Sequence, residues 1–383
     1  MPRVAAELAL APVRAALWVY ERYDLEVLWK QVLFDDAMTF GVVPVANIDS
    51  HHGVLFGARL VHYDLFGARE RLSLRAAAGG RFRQRIDGTL STGHRLGARI
   101  VATLGGEYDR EPNDAFYGVG NASTGKLARY RRRLERASAT LDVRVFPALH
   151  LRGAGALTDL EFGGSDQNPS IERVYATAAL GGWDGVRHAY GEAELQWDSR
   201  RPASQWDPPS VRSTGGLVSV FAGRIHPLRS GDNYSRYGID LQRFLYLAPG
   251  PRLIWIGAHA EAVTGDYADV AFAELPALGG RYLRSYPIER FRDRVAGSVS
   301  LEYQWDLGRN LLAGLFVEAG RVYRSLDELT VDGMRTGYGF SLQAQTDHAV
   351  LGRGSIATSR DGGITVMVAF DPVSNLEPRV VRR

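Results

Sequence analysis

Residues 297–306 read GSVSLEYQWD, and their order decides the fold. Val299, Leu301, Tyr303 and Trp305 fall on one parity, while Ser298, Ser300, Glu302, Gln304 and Asp306 fall on the other. Successive side chains of a strand point to opposite faces, so this stretch has one apolar face and one that is polar throughout. Residues 138–146 repeat the pattern, with Ala139, Leu141, Val143 and Val145 opposed to Ser138, Thr140, Asp142 and Arg144. In 95–109 the apolar set is Leu96, Ala98, Ile100, Ala102 and Leu104, against Arg95, Arg99, Thr103, Glu107 and Asp109.

A soluble antiparallel sandwich alternates too, and one such strand would fit it. Repetition favours a closed sheet. We read sixteen segments, near 38–48, 53–65, 69–79, 81–92, 95–109, 132–146, 148–162, 188–199, 211–226, 234–247, 252–264, 292–306, 311–323, 335–346, 349–360 and 363–370. An even number suits a single-chain transmembrane barrel, whose strands are apolar towards lipid and polar towards the lumen. The expectation is therefore an all-β, 16-stranded antiparallel transmembrane barrel over 36–372, with a lead-in at 1–35 and a tail at 373–383. Tight turns such as Gly79–Gly80 alternate with longer connections at 110–131, 163–187, 200–210 and 265–291. Residues 12–34 mix charged and apolar residues without strict alternation, and we expect one short amphipathic helix there, beside the membrane or within the barrel, or else a partly ordered lead-in.

Composition agrees and excludes several classes. No run of about 18 apolar residues occurs, so helical membrane spans are not expected. The chain has no cysteine, which removes disulfides, thiolate metal sites and cysteine nucleophiles together. Its 46 basic and 43 acidic residues are interspersed, leaving a net charge of +3 and no nucleic-acid surface. The Arg131–Arg133 run is read as a loop or strand end. Arg14 interrupts the apolar start and no small-residue cleavage site follows, so no signal peptide is read; a barrel requires an export signal from outside this chain.

Catalytic and metal constellations are not expected. His51–His52 lacks a third ligand at metal-binding spacing, and no GxSxG elbow supports a serine nucleophile. Gly337-Tyr338-Gly339 lacks the spacing of a dinucleotide loop and lies in a strand-like segment. Glu192 and Glu194 share a strand face and read as lumen-facing polar residues. No cofactor is called for.

The long connection before residue 292 carries LGGRYLRSYPIERFRDR at 278–294. Within it, Leu283-Arg284-Ser285-Tyr286 is similar to the V/I-R-G-F/Y loop tip of the outer-membrane protein-assembly and secretion barrel superfamily of BamA and TamA type, with serine in place of glycine. Phe316-Val317-Glu318-Ala319-Gly320 resembles that superfamily's F-x-D-x-G strand, with glutamate for aspartate. By parity Phe316, Glu318 and Gly320 lie on one side, placing Glu318 in the lumen. The final segment, with Asp361, Gly363, Val366, Val368 and Phe370, resembles the strand signal that outer-membrane barrels present to the assembly machinery, although the chain continues to Arg383. Tyr117 to Asn121 and Asp198 to Arg200 add to the likeness, which covers 35–372.

The resemblance implies that the long loop folds into the lumen and that Arg284 contacts Glu318, with Tyr286 packing beside them. A loop in a water-filled barrel gains little apolar burial, so a bidentate charge-assisted bond is expected to hold its tip. It also implies a non-enzymatic outer-membrane protein that assists insertion or translocation of polypeptides through a seam between first and last strands. Its partners would be outer-membrane lipid, unfolded outer-membrane or secreted polypeptides, and the assembly machinery during biogenesis. Members usually carry periplasmic domains before the barrel, and about 35 residues cannot form one. A passive pore, a lipid conduit or an anchor for a periplasmic partner is the alternative.

Overall fold

The computed structural model describes residues 22, 32–37, 39–49, 53–121, 126–201, 214–229, 231–247, 252–308, 311–345 and 350–369. The lead-in helix expected over 12–34, His51–His52, Phe370 and the tail at 373–383 lie wholly or mostly outside these residues.

Among the described residues, sixteen antiparallel strands close into one barrel. The first eight are β1 (Phe40–Asp49), β2 (Gly53–His62), β3 (Arg71–Gly79), β4 (Arg83–Ser91), β5 (Ile100–Phe116), β6 (Ala128–Phe146), β7 (Leu149–Gly164) and β8 (Val186–Asp198). Then follow β9 (Gly215–Pro227), β10 (Tyr234–Tyr246) and β11 (Arg252–Val263). Two short strands, β12 (Ala277–Leu278) and β13 (Phe291–Arg292), pair with each other inside the next connection. The barrel resumes with β14 (Val295–Gly308), β15 (Leu311–Tyr323), β16 (Arg335–Gln345), β17 (Val350–Ser359) and β18 (Ile364–Ala369). Each barrel strand pairs with the barrel strand next in sequence, and β18 pairs back onto β1. With an even number of strands, Phe40 and Ala369 sit on the same rim, here called the terminal rim. The connections 117–127, 165–185, 264–294 and 324–334 leave the opposite, loop rim, whereas 199–214, expected among the longer connections, leaves the terminal rim.

The alternation has the direction that the sequence implies. Leu104, Leu141, Val299, Leu301, Leu315 and Val317 are exposed on the outside, whereas Ser298, Glu302, Phe316 and Glu318 are buried within. Among the described residues no helix is long and apolar enough to cross a membrane, and the exposed belt assigns the crossing to strands. On β6 the outward apolar set runs from Val145 to Ala137, the roughly nine residues a tilted strand needs to cross a bilayer. Exposed aromatic residues including Phe40, Phe146 and Trp197 mark the terminal-rim edge of the belt, as an interfacial girdle does.

The strand ends differ from the sequence reading in two places. Residues 92–99 form turns, and β5 starts only at Ile100, because Gly93 and Gly97 take φ of 55° and 93° and break the extended chain. Conversely, residues 110–116 and 128–131, expected in a loop, extend β5 and β6 beyond the belt, and the Arg131–Arg133 run lies within β6. There the pattern inverts. Tyr130, Leu134 and Leu160 point inward and are buried, while Arg133, Glu135 and Glu161 form ion pairs outside. A strand projecting into water has no reason to keep an apolar outer face, so its sequence reads as a loop. Arg132, inward, donates to Asp114 at 2.7 Å and Asp109 at 3.2 Å.

Candidate functional site

The connection from 264 to 294 folds into the loop-rim half of the lumen. Little apolar burial is expected for it in a water-filled barrel, and the structure overturns that expectation. Leu278 and Leu283 are 0% exposed and cluster with Tyr286, Phe291, Ala296 and Val322. Phe272 sits in a second cluster with Phe116, Tyr130 and Ile171, and Val270 and Leu275 in a third with Ile225 and Tyr234. The inward apolar residues above the belt are the partners of this loop, so the lumen there is a core rather than water. At roughly 25 cal/mol per Å² of apolar surface, several buried Leu and Phe side chains outweigh one ion pair.

The tip is then positioned by polar contacts. Arg284 reaches between two carboxylates: Nη1 donates to Glu302 Oε2 at 2.6 Å and Nε to Glu318 Oε2 at 3.3 Å. Its guanidinium lies 3.6 Å from the centroid of the Phe316 ring. The pairing the resemblance implies is thus shared between two strands, β14 and β15, instead of being bidentate on Glu318 alone. Glu318 is completed by Ser285, whose N–H and Oγ donate to Oε1 at 2.7 and 2.9 Å. The serine that stands in place of glycine therefore adds a donor.

Glu302 is the residue that sequence reasoning left as merely lumen-facing. Besides Arg284 it accepts from Arg353 Nη2 at 2.6 Å, Ser341 Oγ at 2.8 Å and Gln304 Nε2 at 2.8 Å, drawing β14, β16 and β17 to one carboxylate. Its polar face in 297–306 was visible; a hub role for this one acid among several was not.

Tyr286 ties the tip to the turn before β18. Its hydroxyl donates to Asp361 Oδ2 at 2.8 Å and its ring meets Phe291 edge-on with centroids 5.0 Å apart. Asp361, in the turn before β18, also accepts from Arg335 Nη1 at 3.0 Å. Thr365 Oγ1 of β18 donates to the Ser285 carbonyl at 3.3 Å. Gly363 in the same turn has φ of 86°, Val366 faces outward, and Val368 is half-buried. Leu283 plugs the first cluster, and Gly320 leaves room for the Leu278 side chain.

Gly120 and Arg292 hold the loop base. Gly120 N–H donates to the Arg292 carbonyl at 2.8 Å. Arg292, 1% exposed, donates to Glu289 at 2.7 Å and to the Phe272 carbonyl at 3.0 Å. Arg200 and Asp198 form a two-bond pair at 2.9 and 2.7 Å at the terminal rim, far from the tip in sequence.

Burial, followed by the bond to Asp361, pushes the Tyr286 hydroxyl up to about 12. A tyrosine kept neutral in the fold contributes stability that is complete below its free value of about 10, and this is lost as the pH climbs through about 12. Loop cleavage by an alkali-tolerant protease is expected to rise across that window. Tyr286→Phe should flatten the rise, and an unchanged profile would place the alkaline weakness elsewhere.

Neither a family model nor a curated protein sequence matches the chain. Among solved structures, BamA from Haemophilus ducreyi lacking POTRA domains 1–3 aligns with a TM-score of 0.64 and 15% identity, over 86% of this chain and 69% of that one. The fold is that of the BamA barrel. CdiB from Escherichia coli aligns at a TM-score of 0.56 and 10% identity over 86% of this chain and 62% of its own, and CdiB from Acinetobacter baumannii at 0.53 and 11% over 86% and 58%. The chain thus spans less than two thirds of either CdiB protein. In this BamA-like fold the loop carrying Arg284 follows the eleventh barrel strand, and its tip is held by the twelfth to the sixteenth.

Proposed function

We propose that the chain is a non-enzymatic outer-membrane barrel that assists insertion or translocation of polypeptides, with its terminal rim in the periplasm. The observation that carries this reading is the join between β1 and β18. Among the described residues it brings Asn47 opposite Ala369, Ile48 opposite Val368 and Asp49 opposite Met367, so the first and last strands close the barrel on each other. Pro44 lies inside β1, and proline, which cannot donate to a ladder, belongs at sheet edges. A client strand would add to an edge opened there, using backbone hydrogen bonds and no covalent chemistry. Lipid surrounds the belt, and the assembly machinery would read the final strand during biogenesis.

The passive-pore alternative has less support, because the loop-rim half of the lumen is filled by the clusters around Phe272 and Leu283. A cysteine-free chain permits a direct test. Asn47→Cys with Ala369→Cys places one thiol on each side of the join, at residues opposed in register; opposed antiparallel residues lie about 4.5–5.5 Å apart, within disulfide reach. Reconstituted in vesicles, the reduced variant should accelerate insertion of a second, unfolded barrel and the oxidised one should not. Equal acceleration in both states would overturn the seam, and conductance without any acceleration would favour the pore.

A further inference from the structure

The outer wall of β1 to β8 is not smooth. Gly88 and Gly106 oppose each other in register on adjacent strands, and Ala137 opposes Gly106. With no or minimal side chains on one cross-strand row, the surface dips between Leu60 and Leu74 on one side and Leu157 on the other. The result is a groove of about 890 Å³ on the lipid-facing wall.

The neighbouring row, one step nearer the loop rim, changes character along its length. It runs from Ile86 through Tyr108 to Glu135, Asp159 and Arg187, each opposed to the next in register. The groove therefore has an apolar floor and a charged upper end. Leu60 stands two residues from the terminal-rim end of β2, and Arg187 is the second residue of β8 at the loop rim, so the groove slants across the whole belt.

At that upper end two guanidiniums converge on one carboxylate. Arg187 Nε and Arg229 Nη2 lie 3.7 and 4.0 Å from the same Asp159 oxygen, with their side chains 58% and 55% exposed. Asp159 can neutralise only one of them. Over the adjoining outer faces, Arg110, Arg131 and Arg133 stand with these two against Glu135, Asp159 and Glu161. An anion with an apolar tail satisfies both halves of the groove at once.

We propose that this groove binds a single membrane lipid with a net-negative phosphate headgroup. The phosphate sits between Arg187 and Arg229, and an acyl chain lies over Gly88 and Gly106. Guanidinium forks suit phosphate oxygens, and the apolar floor supplies tail burial that a free anion cannot use. The site does not depend on whether the barrel join opens.

Two variants separate the headgroup from the tail. Arg187→Ala with Arg229→Ala removes the cap. Gly106→Leu fills the floor, and a Cβ at Gly106 meets nothing within 4 Å, so the wall tolerates it. The full chain in detergent is mixed with equimolar palmitoyl-oleoyl phosphatidylglycerol and phosphatidylcholine, and retained adducts are counted by native mass spectrometry. The wild type should retain one phosphatidylglycerol in preference. The double arginine variant should lose that preference by about tenfold or more, given roughly 1 kcal/mol per arginine near a charged surface. Gly106→Leu should lose both lipids while its strand content is unchanged. Equal retention in all three proteins would overturn the site, as would displacement of phosphatidylglycerol by millimolar inorganic phosphate, which would mark an anion site without a lipid tail.

Discussion

Arg284→Ala is expected to release the loop tip while leaving the barrel strands in place. The guanidinium bridges Glu302 on β14 and Glu318 on β15, both fully buried, and covers the Phe316 ring. Removing one partner of a buried charge pair costs about 3–5 kcal/mol, because the stranded carboxylate cannot regain water. Here the cost falls on the lower part of that range or below it, since Arg353 still serves Glu302 and Ser285 still serves Glu318. The strand ladders do not depend on the tip. Far-UV circular dichroism should be unchanged, cleavage within 279–290 should accelerate, and single-channel traces in planar bilayers should become noisier. Arg284→Lys should fail almost as badly, because one ammonium cannot span two carboxylates as a planar fork does. Unaltered cleavage in both variants would remove Arg284 from its place as anchor.

Gly337→Ala should produce a comparable release from the opposite side of the same contact. A Cβ at Gly337 would fall on the Ser285 side chain, well inside contact distance of its Cβ and Oγ. Nothing flexible lies there to yield, so Ser285 must leave Glu318 or β16 must shift; overpacking of this kind costs about 1–3 kcal/mol. A second substitution makes the cause visible. Ser285→Gly deletes the clashing atoms but keeps the N–H that donates to Glu318, and the next atom, the Thr358 carbonyl oxygen, lies at 3.0 Å. Gly337→Ala combined with Ser285→Gly should therefore be more protease-resistant than Gly337→Ala alone. If the pair is no better than the single variant, the clash lies elsewhere.

That glycine also shows where sequence reading stops. Gly337-Tyr338-Gly339 was recognisable as strand, and alternation through Val299, Leu301, Tyr303 and Trp305 carried the barrel and its strand number. A missing side chain leaves no mark of what occupies its space, so neither Ser285 against Gly337 nor Phe316 against Gly339 could be read from one chain. Arg284 and Glu318 were reached only through resemblance. Glu302 could not be singled out, because parity assigns a face and not a partner. The ends of β5 and β6 were missed for a different reason: above the belt the outer residues are charged and the inner ones apolar, reversing the rule that identified the strands below it. The same reversal conceals the core around Phe272. It predicts nothing about lipid, yet it marks the bilayer boundary on β6 between Ala137 and Glu135 more sharply than hydropathy does.

The contacts of the loop tip also carry information about time. Ser285 and Tyr286 are bonded to Thr365 and Asp361, which follow 80 and 75 residues later in the chain. For any chain delivered to the membrane amino end first, the seat of the loop is unfinished until the last hairpin has arrived. Those two bonds can therefore form only on a barrel whose final strand is in place, after Arg284 has met Glu302 and Glu318. Seating of the loop is in this sense a record that assembly has been completed, written in two hydrogen bonds that no earlier intermediate can form.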